Sequence, residues 1–220
     1  MLVNVIAFIG PPAVGKTTLA TQIGQFPGRQ VFRLREQVPR NSLAATVTSA
    51  GRLGWIDDIT VITSVRAYLE KLIREGEINT LLLDNFPGRA TQVRLFLSVL
   101  QQLAPDCIVR AIELVADPAV LRRRAASRRV CHHCERDPMC DPRLPAMAST
   151  VDSRRCARCN HLLHTRQGDT PAVYESRNQR YYQMVEGIRR ALSNAGITVT
   201  RLDSSQPLDA TIQELTSLFI

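Results

Sequence analysis

The sequence predicts an α/β fold in which a parallel sheet is covered by helices on both faces. Short apolar segments rich in β-favouring residues alternate with longer segments whose apolar residues recur at helical spacing. A glycine-rich phosphate-binding motif lies between the first strand and the first helix, as in folds of the P-loop NTPase type. A single cysteine-rich segment interrupts the alternation and is expected to form an insertion with its own means of staying folded.

Each expected strand is a short apolar run. Residues 2–9 are mostly apolar and should form the central strand. Residues 80–84 are apolar until Asp84, so a carboxylate closes that strand. Residues 107–115 form another such run, in which Cys107 is expected to be an ordinary buried thiol. The remaining expected strands are 31–34 and 198–202.

Helices are predicted where apolar residues recur every three or four positions. Residues 57–75 carry the clearest pattern, with Ile62, Val65 and Leu69 on one face and Gly76 as the expected stop. Residues 39–54 are only weakly patterned. The other expected helices are 17–25, 92–102, 118–129, 174–195 and 208–218.

The motif that starts at Gly10 fits the pattern G-x-x-x-x-G-K-[ST] and predicts binding of a nucleoside triphosphate with magnesium. Backbone N–H groups of such a loop turn inward around the β-phosphate, and Lys16 adds a movable positive charge. Thr17 offers a hydroxyl group to Mg²⁺, and the positive end of the following helix points at the phosphates. The candidate contacts in this segment are Gly10, Pro12, Ala13, Val14, Gly15, Lys16, Thr17 and Thr18.

Composition and charge exclude several classes of partner. The net charge is +8, but aromatic residues make up only 5% of the chain, too few for a typical nucleic-acid surface. No apolar run reaches the roughly 18 residues that a membrane span requires. The first residues read as a strand and lack the features of a signal peptide. We therefore expect a cytoplasmic monomer with neither nucleic-acid nor membrane partners.

Two Cys-x-x-Cys pairs predict a structural zinc site. Cys131 and Cys134 are separated by 21 residues from Cys156 and Cys159, and four thiolates suit tetrahedral Zn²⁺. The segment is too short and polar to build a core, so the metal would stabilise it. Disulfides or an iron–sulfur site are the alternatives. Nearby residues able to replace a cysteine ligand are Cys140, His132, His133, His161 and His164.

Together these features resemble the adenylate kinase family of nucleoside monophosphate kinases, in the form whose lid carries structural zinc. The resemblance spans nearly the whole chain and is loose between residues 29 and 58. Residues 82–87 are similar to the family's strand that ends in an aspartate and a Gly-Phe-Pro turn. Asp169 matches one of two acidic positions at the family's lid exit. The family's arginines at the entrance and exit of the lid correspond here to Arg124, Arg128, Arg166 and Arg177.

The resemblance implies transfer of the γ-phosphoryl group of ATP to a nucleoside monophosphate, giving ADP and a nucleoside diphosphate. Lys16 would hold the β- and γ-phosphates, Thr17 would ligate Mg²⁺, and Asp84 would hold the ion through water. Arg124 would lie over the donor nucleotide. With Lys16, the catalytic residues would be Arg128, Arg166 and Arg177, which close over the transferred group.

The acceptor side departs from the family pattern. The Thr-Gly-Asp-x-x-Arg stretch is missing from residues 34–40, and Gly88 stands where the family has an arginine. Gln92 falls where the family places a glutamine that reads the acceptor base. The candidate acceptor contacts are Arg35, Arg40, Arg89 and Gln92.

Two other functions fit these departures: a P-loop kinase of another small acceptor, such as a nucleoside or modified nucleotide, or a non-catalytic zinc-containing nucleotide-binding regulator. For each of the three functions we expect the chain to divide into three parts. These are a core (1–28, 59–124 and 166–220), an acceptor segment (29–58) and a zinc-binding lid (125–165).

Overall fold

The structure, a computed structural model, describes residues 2–45, 56–135 and 142–217. Its strands are β1 (Asn4–Ile9), β2 (Arg29–Phe32), β3 (Thr80–Asp84), β4 (Ile108–Val115), β5 (Arg129–Val130), β6 (His164–Thr165) and β7 (Val199–Asp203). Five of them form a parallel sheet in the order β2-β3-β1-β4-β7. The predicted parallel sheet is therefore confirmed.

The helices are α1 (Lys16–Ile23), α2 (Leu34–Gln37), α3 (Arg40–Ala45), α4 (Asp58–Glu75), α5 (Ala90–Leu103), α6 (Pro118–Ser127), α7 (Pro171–Asn194) and α8 (Leu208–Ser217). Most lie within a few residues of their predicted bounds. Leu34, predicted at the end of a strand, instead begins α2. In the weakly patterned segment, residues 40–45 form α3, and residues 46–55 lie outside the described part of the chain.

Helix α4 has a capping group at each end. The side chain of Asp57 accepts a hydrogen bond from the backbone N–H of Thr60 at 2.8 Å, which satisfies a donor of the first turn. Gly76 ends the helix with a φ of 71°, a conformation that glycine adopts without steric cost.

Helices cover both faces of the sheet. Side chains alternate along the central strand, so that its apolar residues contribute to a core on each face. Val5 and Ala7 of β1 point into a core formed with α4 and α5, where Leu69 and Phe96 are buried. Ile6 and Phe8 point into the opposite core. That second core includes residues of α1, α6 and α8, namely Leu19, Leu121 and Leu215.

The order of the strands places a crevice at the carboxyl end of β1. β1 pairs with β3 on one side and with β4 on the other, so the sheet extends in both directions from it. In open parallel sheets, ligands bind at the carboxyl ends of the strands where the order reverses in this way. The phosphate-binding motif follows Ile9 and therefore lies in this crevice.

Helix α7 is anchored to the sheet by one buried carboxylate. Glu113 of β4 is 2% exposed, accepts a hydrogen bond from the hydroxyl of Tyr181 at 2.7 Å, and pairs with Arg189 at 2.6 and 3.0 Å. Burial opposes ionisation of Glu113, but the hydrogen bonds outweigh it and hold its pKa below the usual range. The anchor fixes the helix that also carries Arg177.

The lid is built from turns and short strands. Strands β5 and β6 form an antiparallel pair at its base, and a 3₁₀ turn, Gln167–Asp169, leads from β6 into α7. None of the helices within the described residues has both the length and the apolar character needed to span a lipid bilayer.

Candidate functional site

The phosphate loop has the left-handed backbone conformations that its glycines permit. Gly10 has a φ of 148° and Gly15 a φ of 104°, and Ala13 between them adopts 64°. A side chain at Gly10 would also place its Cβ 2.6 Å from the carbonyl oxygen of Leu114. Gly10 is therefore required both by its φ and by its close approach to β4.

Lys16 lies inside the loop. Its ammonium group donates hydrogen bonds to the carbonyl oxygens of Gly10 at 2.6 Å and Pro11 at 2.9 Å, and the residue is 8% exposed. Burial lowers the pKa of Lys16 from 10.5 to about 7; Asp84 opposes this shift, while Arg177 and Arg128 add to it. Lys16 is thus a buried cation close to two predicted catalytic arginines.

Asp84 connects the phosphate loop with the end of β2. The hydroxyl of Thr17 donates to Asp84 Oδ1 at 3.1 Å, and Arg33 Nε donates to Asp84 Oδ2 at 3.0 Å. Thr17 and Asp84, which were predicted to hold Mg²⁺, are therefore in direct contact. A hydroxyl and a carboxylate are oxygen ligands of the type that Mg²⁺ prefers, so the pair fits the ion.

The three predicted lid arginines converge on one buried carboxylate. The side chain of Asp169 is fully buried and accepts a hydrogen bond from Arg128 Nε at 2.6 Å. Arg166 and Arg177 lie 3.5 and 3.3 Å from its other oxygen. Arg128 comes from the end of α6, Arg166 from the lid exit and Arg177 from α7. Asp169 thus gathers cations from three elements at one point.

The loops at the carboxyl ends of β4 and β7 support the phosphate loop. Ser204 is 5% exposed, and its hydroxyl lies 2.9 Å from the carbonyl oxygen of Val14 and 3.2 Å from that of Val115. Arg124, predicted to lie over the donor nucleotide, donates to the carbonyl oxygen of Ser204 at 2.7 Å.

The candidate acceptor residues are dispersed. Gln92 is 2% exposed, and its side-chain oxygen accepts the backbone N–H of Gly88 at 2.8 Å, so it holds the turn after β3. Arg89 forms an ion pair with Asp58 at the start of α4. Arg35 is half-buried in α2, and Arg40 is exposed at the start of α3.

The four predicted cysteine ligands come together. Their sulfur atoms all lie within 4.8 Å of one another; Cys131 and Cys159 are separated by 3.4 Å, and Cys134 and Cys156 by 3.8 Å. With Zn–S bonds of about 2.3 Å, a tetrahedral site places its sulfur atoms about 3.8 Å apart. The cluster is therefore compatible with zinc in size and in donor type.

The alternatives for this cluster fare differently. The four cysteines are free thiols, so the disulfide alternative is wrong for them. His133 and His161 stack at 3.7 Å and form a second group of possible ligands that shares Cys159. Cys140 lies outside the described residues. Cys107 precedes β4 and is half-buried, which raises the pKa of its thiol to about 11.

Sequence reasoning missed Arg33 and Ser204, and it gave Asp169 no role. Arg33 and Ser204 each directly follow the last residue of a parallel strand, β2 and β7. Since ligands bind at the carboxyl ends of such strands, the position of Ser204 was a usable signal, whereas Arg33 fell inside the predicted strand 31–34. The grouping of arginines around Asp169 had no local signal.

Comparison with known proteins agrees with this architecture. The profile of a protein family described as an AAA domain matches residues 5–137, more than half of the chain. The chain is 28% identical over 223 residues to an adenylate kinase of Treponema pallidum (strain Nichols), with 96% of each chain covered. It is 27% identical to an adenylate kinase of Mycoplasma pneumoniae, over 94% of this chain and 93% of that one.

A third relative, an adenylate kinase of Thermosipho melanesiensis, is 25% identical over 97% of this chain and 98% of its own. Each of these three alignments spans more than nine-tenths of the chain. The sheet order and the loop geometry are those of a P-loop protein. The chain therefore belongs to the AAA domain family of P-loop proteins, and it is an adenylate kinase-like member of that family.

Proposed function

We propose that this protein transfers the γ-phosphoryl group of Mg²⁺-ATP to a nucleoside monophosphate. The observation that carries the proposal is the arginine cluster around Asp169, which is close enough to the phosphate loop for Arg128 and Arg177 to affect the pKa of Lys16. Phosphoryl transfer spreads negative charge over the moving group, so it is accelerated chiefly by fixed cations and by exclusion of water. A protein that only binds nucleotide has no need of such a cluster.

In this proposal each residue acts through position and charge. Lys16 exchanges its hydrogen bonds with the loop carbonyls for bonds to the β- and γ-phosphates. Thr17 and Asp84 hold Mg²⁺, which neutralises phosphate charge. Arg128, Arg166 and Arg177 stabilise the charge of the transferred group, and Arg124 binds the donor nucleotide.

The lid contains Arg128 near its start, Arg166 directly follows its end, and closure of the lid would exclude water. Zinc held by Cys131, Cys134, Cys156 and Cys159 would keep the lid folded, since a site with four thiolates is closed and structural. The core would then comprise residues 1–28, 59–124 and 166–220. The acceptor segment would be residues 29–58, and the lid residues 125–165.

The decisive experiment measures ADP release from Mg²⁺-ATP with AMP, GMP, CMP and UMP as acceptors, alongside the four nucleosides. We expect turnover with at least one monophosphate. In Lys16→Ala the rate should fall roughly 100-fold or more, with the fold retained. Wild-type protein that binds Mg²⁺-ATP but phosphorylates no monophosphate would refute the proposal.

A kinase of another small acceptor is the second candidate. It is favoured by Gly88 in the place of an acceptor arginine and by the ion pair that commits Arg89 to Asp58. Conversion of a nucleoside, with no conversion of any monophosphate in the same panel, would support this candidate.

A further inference from the structure

Arg33 occupies the junction between the phosphate loop and the acceptor segment. It is the first residue after β2, and its side chain is 20% exposed. Arg33 Nε donates to Asp84 Oδ2, while Thr17 of the phosphate loop donates to the other oxygen of the same carboxylate. Only one side chain therefore separates Arg33 from the hydroxyl that would ligate Mg²⁺.

The guanidinium group of Arg33 is held by hydrogen bonds from two of its nitrogens, and the third nitrogen still has N–H groups to donate. Nη2 donates to Thr21 Oγ1 of α1 at 2.8 Å, so two of the three nitrogens are fixed by the core. Among the described residues, the partner of Nη1 is Glu36 Oε1, which at 3.8 Å is beyond hydrogen-bond distance. The two N–H groups of Nη1 thus remain able to bind an anion.

Glu36 does not neutralise this side of Arg33 by itself. Its Oε1 atom also forms a close ion pair with Arg143 of the lid. The negative charge of Glu36 is therefore shared between two arginines. With Asp84 counted as well, the charges of the two arginines and the two carboxylates balance, so an incoming phosphate beside Asp84 would meet the N–H donors of Arg33 Nη1 and not a net positive charge.

Two of the other arginines of the acceptor side, Arg89 and Arg40, are less well placed. Arg89 pairs with Asp58 on α4, and Arg40 is exposed at the start of α3. The ion pair between Arg89 and Asp58 does not involve the phosphate loop. Arg33, by contrast, contacts Asp84 and Thr21, which adjoin or belong to the elements that build the donor site.

We propose that Arg33 is the residue that binds the phosphate group of the acceptor. The inference rests on the proposed phosphotransferase function and adds a specificity residue to it. Binding of Mg²⁺ would neutralise Asp84 in place of Arg33, so the guanidinium could turn its donors to the acceptor phosphate. Arginine suits this task because its planar fork matches the geometry of phosphate oxygens.

The test compares Arg33→Gln and Arg33→Lys with the wild type in binding and in turnover. Affinity for each monophosphate is measured by calorimetry in the presence of Mg²⁺ and a non-hydrolysable ATP analogue. We expect Arg33→Gln to weaken monophosphate binding roughly 10- to 100-fold, and Arg33→Lys by less, as for loss of charge-assisted hydrogen bonds. Affinity for the ATP analogue should change less than about threefold.

The matched control is Arg29→Gln, the same substitution at the opposite end of β2, where the guanidinium lies over the ring of Phe26. It should leave both affinities unchanged. Thermal unfolding monitored by circular dichroism checks that each variant is folded. If Arg33→Gln does not fold, Arg33→Lys decides, because it keeps the charge beside Asp84 and loses only the fork.

The outcomes separate this inference from the proposed function. Equal monophosphate binding by wild type and both Arg33 variants, with turnover retained, overturns the role of Arg33 and leaves the phosphotransferase standing. If the Arg33 variants lose affinity for ATP and for the acceptor equally, Arg33 serves only to hold Asp84 in place. That result also overturns its role in binding the acceptor. A wild type that neither binds nor phosphorylates any monophosphate refutes both.

Discussion

At the scale of single residues, Lys16 shows how the fold prepares a charge for a ligand. Burial makes Lys16, which is 8% exposed, costly to keep protonated, and its pKa falls to about 7 even though two carbonyl oxygens accept its hydrogen bonds. The negative charge of a bound triphosphate would stabilise the ammonium group and so compensate for the hydration that it loses on burial. Binding should therefore raise the pKa of Lys16 toward its usual range.

This linkage predicts proton uptake when Mg²⁺-ATP binds. At pH 8, above the pKa of about 7, Lys16 is mostly neutral in the free protein, so binding should take up about 0.9 proton. At pH 6 the group is already charged, and the uptake should fall to about 0.1 proton. Calorimetry in buffers of different ionisation enthalpy measures the number.

Two variants test the assignment of that proton to Lys16. Lys16→Arg stays charged at every pH and should abolish the uptake. Lys71 is the other lysine of the sequence and pairs with Glu75 on the surface of α4. Lys71→Ala should leave the uptake unchanged. Uptake that persists in Lys16→Arg would assign the proton to a different group.

Asp169 carries the second prediction at this scale. Removing its charge leaves Arg128, Arg166 and Arg177 without a common partner, so Asp169→Asn should lower the free energy of unfolding by about 3 kcal/mol. The turnover number should fall roughly 10- to 100-fold because the arginines lose their fixed positions. Urea denaturation and steady-state kinetics measure the two effects.

Asp152 provides the matched control for Asp169. It also contacts two arginines, Arg154 and Arg155, but these pairs lie at the surface of the lid. Asp152→Asn should therefore lower the free energy of unfolding much less than Asp169→Asn and leave turnover unchanged. Equal effects of the two substitutions would mean that burial of Asp169 does not give it a special role.

At the scale of elements, the sequence is most informative where a pattern is local and long. Helix α4 has eighteen residues, and β3 is apolar up to Asp84, so both could be predicted from sequence. Helices α2 and α3 have four and six residues, too few to show a complete helical period. The acceptor segment was for this reason harder to predict than the core.

Contacts between elements were also beyond sequence reasoning. Arg33 and Asp84 are 51 residues apart, and Arg128 and Asp169 are 41 apart. Their pairing depends on which strands are neighbours in the sheet and on where the lid returns to the core. The cysteine cluster was the exception because metal sites constrain the spacing of their ligands strongly enough to be read directly.

The lid supplies the prediction at the scale of elements. Cys156→Ser should reduce bound zinc to well below one equivalent and unfold the lid, because metal binding would provide most of the stability of so small a unit. The core should stay folded and still bind Mg²⁺-ATP. Elemental analysis gives the zinc content, and limited proteolysis reports new cleavage between residues 131 and 164.

Cys107→Ser is the control for the lid variant, since Cys107 is half-buried beside β4 and far along the chain from the cluster. It should retain zinc and the protease resistance of the lid. Full zinc retention by Cys156→Ser would show that another side chain can replace this thiolate, with His133 and His161 the nearest candidates.

At the scale of the whole molecule, ion pairs connect the proposed core, acceptor segment and lid. Asp84 of the core pairs with Arg33, which lies 3.8 Å from Glu36 of α2, and Glu36 pairs with Arg143 of the lid. The lid and the acceptor segment therefore touch through one ion pair. In the proposed function this contact belongs to a closed form, in which the lid meets the acceptor side.

The ion pair between Glu36 and Arg143 should bias the molecule toward this closed form. Its side chains are 34% and 24% exposed, so a contribution of about 0.5–1 kcal/mol is expected, which shifts the closed population two- to fivefold. Glu36→Gln should speed hydrogen exchange in both α2 and the lid and raise the ratio of acceptor-free ATP hydrolysis to phosphoryl transfer. Arg143→Gln should do the same, and the double variant should be no worse than either single one, because both remove the same interaction. Fully additive effects would mean that the two residues act separately and that closure depends on other contacts.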